Sequence, residues 1–228
     1  MTWENPFFLR SRGDASDDDD NVLAQSKNNQ RLFSWRGMNI LAGTPDHYGA
    51  VINLNFDFVK YLDTLASGNH TVLRVWSGVY REVNASQFGI HHNTLNPMPG
   101  RYVAPWERST ECCYSDGGNK FDLSKFSSAY MNRLEAFISA AAERSIAVEL
   151  TLFSSMYPGT DTQWDASPLN AENNVNDVEA ASAASWYDLN NTKLLAFQRS
   201  LVMHLITKLN RHPNIYFEIA ILQPWVLL

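Results

Sequence analysis

Charged residues occur in three otherwise apolar segments of the kind that form buried strands, and they are the first candidates for chemistry. The segments are 71–76, 146–153 and 214–220, and their charged residues are Arg74, Glu149 and Glu218. Successive side chains of a strand point to opposite faces, so each segment has one apolar face and one face that carries a charge. An unpaired charge in the interior of a protein is costly to desolvate. We therefore predict that Arg74 pairs with Glu218 and that Glu149 is a further interior carboxylate. The sequence leaves open whether this is a structural ion pair or part of a binding site.

Aromatic and amide side chains are concentrated in two long segments that follow predicted strands. Roughly 45 residues follow Trp76 and roughly 37 follow Phe153, and irregular segments of that length are uncommon unless they build a binding site. Aromatic rings can stack on the CH face of a pyranose and amides can bond its hydroxyls, so we predict a carbohydrate cleft. The candidate contacts are His47, Arg74, Trp76, Tyr80, Trp106, Trp164, Asn173, Asn174 and Glu218. The alternative is that each aromatic side chain pins a long loop onto the fold.

The elements that must position these residues alternate between strand and helix. Strands are predicted at 38–42, 71–76, 146–153 and 214–220, and helices after Asn55, after Asp122 and over 194–209. Such alternation requires crossover connections and therefore an α/β fold with parallel strands. Because each strand has only one apolar face, a (β/α) TIM-type barrel is favoured over an open doubly wound sheet. We predict an N-terminal extension with a small β hairpin over residues 1–36, and about four βα units over 37–228.

Composition and short motifs argue against several classes of function. The formal net charge is −6 and Lys and Arg form no basic stripe, so a nucleic-acid partner is not expected. No stretch approaches the ~18 consecutive apolar residues of a membrane span and no leader is visible, so we expect no membrane partner and, as the sequence stands, a cytoplasmic location. No glycine-rich phosphate loop follows the first strand, and His91-His92 lacks a third ligand, so we expect no cofactor and no metal. Cys112 and Cys113 are expected to be free thiols, with a strained vicinal disulfide as the alternative.

A set of short sequence blocks occurs in order between about residue 31 and residue 220. The blocks are FSWRG (33–37), HYGAVIN (47–53), DFVKYLD (57–63), SGVYRE (77–82), NTL (93–95), PWERS (105–109), GGNKFDL (117–123), SPLN (167–170), NNVN (173–176) and NIYFEI (214–219). Together they resemble a family of cellulase-like glycoside hydrolases, which is similar to the large clan of retaining glycosidases with (β/α)8 barrels. The resemblance covers the N-terminal half of such a barrel.

The resemblance implies hydrolysis of O-glycosyl bonds by two carboxylates. In retaining glycosidases these lie about 5–5.5 Å apart; the acid/base is the glutamate of an Asn-Glu-Pro motif after the fourth strand, and the nucleophile follows the seventh. Here the acid/base position falls on Leu222, or on Gln223 if one residue is inserted, and neither can donate the proton. Glu218 is a poor substitute because it lies four residues before Leu222.

The sequence therefore predicts a glycoside hydrolase-like protein that is inactive as this chain, which ends at Leu228 before the nucleophile half. One alternative is a non-catalytic carbohydrate-binding or interaction protein, and another is a truncated gene product. Carbohydrate is the expected partner. Strand edges left unpaired by a half barrel also predict self-association.

Overall fold

The computed structural model describes residues 21–40, 45–47, 49–79, 81, 83, 96–154, 161–178 and 188–221. The strands are β1 (Ala24–Gln25), β2 (Phe33–Trp35), β3 (Met38–Ile40), β4 (Asp46–His47), β5 (Val72–Trp76), β6 (Trp106–Cys112), β7 (Asn119–Phe126), β8 (Ala147–Ser154) and β9 (Ile215–Ile221). The helices are α1 (Phe58–Ser67), α2 (Ser128–Glu143), α3 (Asp161–Asp165) and α4 (Thr192–Leu209), with a short 3-10 turn at Ala171–Asn173. Within these ranges every helix is too short or too polar to cross a lipid bilayer.

The central sheet is parallel, with the strand order β4-β5-β8-β9. Helix α1 lies between β4 and β5 in the chain, α2 between β5 and β8, and α4 between β8 and β9. Parallel neighbours joined by helical crossovers are the α/β arrangement that the sequence predicts. The second, third and fourth predicted strands and the last predicted helix are confirmed, with ends displaced by one or two residues.

The two faces of the central sheet differ in character, as the alternation of residues predicts. On one face Leu73, Val75, Val148 and Leu150 are fully buried, in one core cluster with the buried sides of α1, α2 and α4. Removal of this apolar surface from water is the main stabilising contribution, at roughly 25 cal/mol per Å². The opposite face carries the charged residues.

Helix α1 begins two residues later than the sequence pattern indicates. Asp57, not Asn55, is the N-cap, because its Oδ1 accepts a hydrogen bond of 3.0 Å from the backbone N–H of Lys60. The predicted buried positions Leu62 and Leu65 are correct.

Helix α2 is capped by Ser127 rather than by Asp122, so the predicted start of this helix is wrong. Asp122 and Leu123 belong to β7, which pairs with β6 in an antiparallel hairpin. Leu123 and Phe126 are spaced like neighbours on a helix, but Phe121 and Leu123 are buried at alternate positions of a strand. The pairing of this segment with β6 makes it a strand, with a period of two residues, rather than the first turn of a helix.

The predicted N-terminal hairpin is confirmed, and a third strand extends it into the antiparallel sheet β1-β2-β3. This third strand, Met38–Ile40, was predicted to begin the barrel, and that prediction is wrong. Arg36 and Gly37 have φ values of 51° and 72°, the positive pair that a two-residue hairpin turn favours, so the chain folds back on β2. The first strand of the central sheet is instead Asp46–His47.

The N-terminal sheet packs against the start of the central strands. Trp35 and Ile40 are buried in one cluster with Val72 and Ala147, which lie at the beginnings of β5 and β8. The sheet therefore covers the end of the central sheet opposite to the carboxyl ends of its strands.

The long segment after Trp76 is folded over much of its described length, because it contains the β6–β7 hairpin. Tyr102 ties this segment to the sheet, since its hydroxyl donates a hydrogen bond of 3.0 Å to the carbonyl of Gly78. At the end of β6, Cys112 and Cys113 are joined as a vicinal disulfide. The expectation of two free thiols is therefore wrong, and the alternative is correct.

Candidate functional site

The charged residues of the central strands share one face, which we call the polar face. Its residues are Asp46, Arg74, Trp76, Glu149, Thr151, Tyr216 and Glu218. The parallel register places Arg74 between Asp46 and Glu149, and places Thr151 beside Glu218. Side chains of residues that are register partners point to the same face of a sheet. The pairing of the strands therefore brings these seven residues together.

Arg74 is the centre of the polar face. Its Nη2 lies 3.1 Å from Oε1 of Glu149, its Nε lies 3.5 Å from Oε2 of Glu218, and its Nη1 lies 3.9 Å from Oδ2 of Asp46. The predicted ion pair with Glu218 is confirmed, and Glu149 is the closer partner. Desolvation opposes the charge of Arg74, yet its hydrogen bond with Glu149 and the nearby carboxylates raise the pKa of Arg74 above its ordinary value.

Each of the two glutamates also accepts a hydrogen bond from a hydroxyl. Tyr216 donates to Oε2 of Glu149 at 3.0 Å, and Thr151 donates to Oε2 of Glu218 at 2.7 Å. Burial, together with the charge of Glu149, raises the pKa of Tyr216, so this phenol remains a donor. The side chain of Glu149 is 10% exposed and that of Glu218 is 26% exposed, so Glu218 is the more accessible carboxylate.

His47 follows Asp46 at the end of β4 and lies on the opposite face of the sheet, where its register partner is Val75. Its Nδ1 accepts a hydrogen bond of 3.1 Å from the backbone N–H of Gly49, so the ring proton of the neutral form lies on Nε2. Desolvation by burial lowers the pKa of His47 to about 4, against the opposing effect of a backbone hydrogen bond. His47 is therefore neutral at pH 7.

The tryptophans predicted to contact a ligand lie inside the fold. Trp76 is 3% exposed, Trp106 is 2% exposed and Trp164 is 4% exposed. A ring this deeply covered has no open face among the described residues, and the contact role of these three residues stays a prediction. They correspond to the alternative in which aromatic side chains pin the loops.

The predicted amide contacts are also engaged within their own loop. Nδ2 of Asn173 donates to the carbonyls of Asp165 and Ser167, and Nδ2 of Asn174 donates to those of Pro168 and Asn170. Asn173 is 5% exposed and Asn174 is 3% exposed. Their hydrogen bonds satisfy carbonyls of an irregular segment, and the assignment of the two amides as ligand contacts stays a prediction.

A cavity of about 300 Å³ lies beside the β6–β7 hairpin, lined by Tyr102, Val103, Ala104, Trp106, Glu107, Arg108, Phe121 and Ser127. Its aromatic residues are at most 6% exposed, and the guanidinium of Arg108 lies 4.0 Å from the centre of the Phe121 ring and is paired with Asp116. The cavity therefore offers no open aromatic face for a sugar.

The structure brings together Arg74, Glu149 and Glu218 on the polar face and places His47 on the opposite face, against Phe56 and Tyr61. Tyr80, Leu222 and Gln223 lie outside the described residues. Sequence reasoning missed Asp46, because it was read as part of a loop, and Tyr216, although its place on the same face as Glu218 was a usable signal. In the part of the chain that the structure describes, no group of three or more His, Cys, Asp or Glu could hold a metal ion.

No protein-family model matches the sequence, and no curated protein matches it. Solved structures do match. A predicted glycoside hydrolase from Bacteroides vulgatus superposes with a TM-score of 0.52 at 12% identity, over 90% of this chain and 33% of that one. A glycoside hydrolase family 5 mannosidase from Rhizomucor miehei superposes with a TM-score of 0.51 at 13% identity, over 89% of this chain and 49% of that one.

These matches show the fold. The chain has an α/β fold of the (β/α) barrel type and spans between a third and a half of the length of the two matched proteins. Its central sheet of four parallel strands corresponds to an incomplete barrel.

Proposed function

We propose that this chain is a glycoside hydrolase-like protein that binds carbohydrate at the polar face and does not hydrolyse it. The observation that carries the proposal is the bridging of Glu149 and Glu218 by Arg74 on the polar face of the parallel sheet. The side chains of Arg74 and Glu218 are 25% and 26% exposed, so both can bond sugar hydroxyls.

The absence of hydrolysis follows from the state of the carboxylates. A general acid must carry a proton at the working pH. Glu149 and Glu218 are instead bridged by one guanidinium, and Glu218 lies four residues before the expected acid position. The position at which related motifs carry the acid holds Leu222 or Gln223, and neither side chain titrates.

The test is affinity electrophoresis of the full chain in gels that contain a neutral polysaccharide, with β-mannan first because one matched structure is a mannosidase. We expect retardation of the wild type, and retardation at least about tenfold weaker for Arg74→Met and Glu218→Gln, since each loses a charge-assisted hydrogen bond. Glu143→Gln is the matched control. The side chain of Glu143, at the end of α2, is 76% exposed, and this variant is expected to bind like the wild type.

Hydrolysis is measured on the same samples with aryl glycosides. We expect no turnover by any variant. Retardation unaffected by both polar-face variants would overturn the assignment of the site, and the absence of retardation on every polysaccharide would overturn carbohydrate binding. Turnover by the wild type that disappears in Glu218→Gln would show an active enzyme with Glu218 as its acid.

We also propose that the chain associates through the edges of its central sheet. No strand among the described residues pairs with the outer edge of β4 or of β9. Ile219 of β9 is 55% exposed, on the face that helices cover elsewhere in the sheet. Open strand edges with apolar side chains favour pairing with another chain.

A further inference from the structure

Arg133 of α2 inserts its guanidinium into the turn that follows β4. Nε donates a hydrogen bond of 2.8 Å to one carbonyl, and Nη2 lies 2.9–3.1 Å from three more. The acceptors belong to Val51, Ala50, Asn53 and Phe56. A single side chain thus holds a turn that is 77 or more residues away in the sequence.

This arrangement suits arginine rather than another cation. Burial lowers the pKa of Arg133, and no carboxylate contributes to that shift. The carbonyl dipoles of the turn therefore take the place of a counter-ion, and the side of the guanidinium lies 5.0 Å from the centre of the Phe58 ring. The planar fork of arginine reaches several acceptors at once, which the single ammonium of lysine cannot do.

The same turn covers His47. The ring of Phe56 lies 4.0 Å from the ring of His47, and the ring of Tyr61 lies 5.3 Å away. Gly49, at the start of the turn, donates to Nδ1 of His47. Phe56 and Gly49 therefore desolvate the ring and fix its proton, and Phe56 is held in turn by Arg133 through its carbonyl.

We propose that Arg133 is a positioning residue that, through the turn 49–56, keeps the ring of His47 covered and its Nδ1 bonded to the N–H of Gly49 at the end of β4. His47 then packs as a neutral ring between the turn and α1, on the face of the sheet opposite to Arg74. The use of this ring in carbohydrate binding rests on the proposed function, whereas the positioning itself does not.

Among the described residues, the titratable groups beside His47 are Asp46, which precedes it on β4, and Tyr61 on α1. Burial, with a smaller effect of Asp46, raises the pKa of Tyr61 to about 12, so its phenol stays neutral through the acidic range. The carboxylate of Asp46 is 43% exposed and shares Arg74. Neither group shields the His47 ring from water as Phe56 does. Movement of Phe56 away from the ring is therefore expected to change the titration midpoint of His47.

The test is NMR titration of the full chain with ¹⁵N-labelled histidine, which distinguishes the two tautomers and the protonated ring. In the wild type we expect His47 to stay neutral with Nε2 protonated down to about pH 5. In Arg133→Met the midpoint rises by about one pH unit or more towards the ordinary value, because the loosened turn admits water. Arg199→Met, which replaces an exposed arginine of α4, is the matched control and leaves the His47 signal unchanged.

If Arg133→Met does not fold, Arg133→Lys is used instead. This variant keeps the positive charge, and the same rise in the titration midpoint of His47 is expected. An unchanged titration of His47 in either folded variant would overturn the positioning role. Affinity electrophoresis of Arg133→Lys separates this inference from the proposed function. If the His47 signal shifts and retardation on β-mannan persists, the positioning role stands and the involvement of His47 in binding is rejected.

Discussion

Nη2 of Arg74 donates a hydrogen bond of 3.1 Å to Oε1 of Glu149, the residue directly opposite it on the neighbouring parallel strand. Because the two Cα atoms are register partners, the position of the ion pair is set by the backbone pairing of β5 with β8. The same guanidinium reaches Glu218 on β9, so one side chain links three consecutive strands of the sheet.

Substitution Arg74→Met is expected to lower the free energy of unfolding by about 2–4 kcal/mol, because it leaves the largely buried carboxylate of Glu149 without its cation. The hydroxyl of Tyr216 remains as a donor to Glu149 and moderates the loss. Urea denaturation measures the effect. The double variant Arg74→Met/Glu149→Gln is expected to lose less than the sum of the single variants, and full additivity would contradict an interaction between the two residues.

Gly78→Ala is expected to destabilise the fold by about 2–4 kcal/mol, because two costs combine. Gly78 has a φ of 83°, and an added Cβ would overlap Cγ2 of Ile52. Gly117→Ala is the matched control, since its φ is 85° but nothing lies within 4 Å of the added Cβ. The control is expected to lose only about 1 kcal/mol, and equal losses in thermal denaturation would show that the contact with Ile52 does not matter.

The two-residue period of the strands was enough to place Arg74, Glu149 and Glu218 on one face, since side-chain direction follows from local geometry alone. The same reasoning could not place Met38–Ile40. A short apolar run is compatible with several sheets, and the choice depended on the positive φ values of the preceding turn.

Residue type alone could not separate ligand contacts from loop scaffold. An amide such as that of Asn173 bonds a sugar hydroxyl or a backbone carbonyl equally well, and only the folded loop shows which acceptor is present. Likewise, the spacing of Leu123 and Phe126 fits a helix, and the hairpin partner that overrides it lies in β6, in a segment that was read as a loop.

The stability of the protein is expected to fall between about pH 6.5 and about pH 4 because of His47. Its pKa in the folded chain is lowered to about 4, so over this range the unfolded chain binds a proton that the folded chain does not. Stability is therefore greater above pH 6.5, and the loss is on the order of 2 kcal/mol. Urea denaturation at several pH values should show a smaller loss for His47→Gln, and identical profiles for the two proteins would contradict the burial of a neutral ring.

Asn173→Ala is expected to lower the free energy of unfolding by about 1 kcal/mol, because it removes the side-chain donor to the carbonyl of Asp165 and one of two donors to the carbonyl of Ser167, which also accepts from the N–H of Asn170. The folded variant should bind β-mannan like the wild type, since the amide is turned into its own loop. Exposed Asn55 provides the control, and Asn55→Ala is expected to change neither property. Loss of binding by Asn173→Ala without loss of stability would show that Asn173 contacts the ligand directly.

Association through the edge of β9 is expected to give a particle mass that rises with protein concentration in light scattering. Ile219→Lys should reduce this rise, because a charge on an open strand opposes pairing with another chain. Leu189→Lys is the matched control, since Leu189 is 77% exposed but lies outside the central sheet. If both variants reduce association equally, general surface hydrophobicity is responsible rather than the strand edge, and a wild type that stays monomeric at high concentration rejects association altogether.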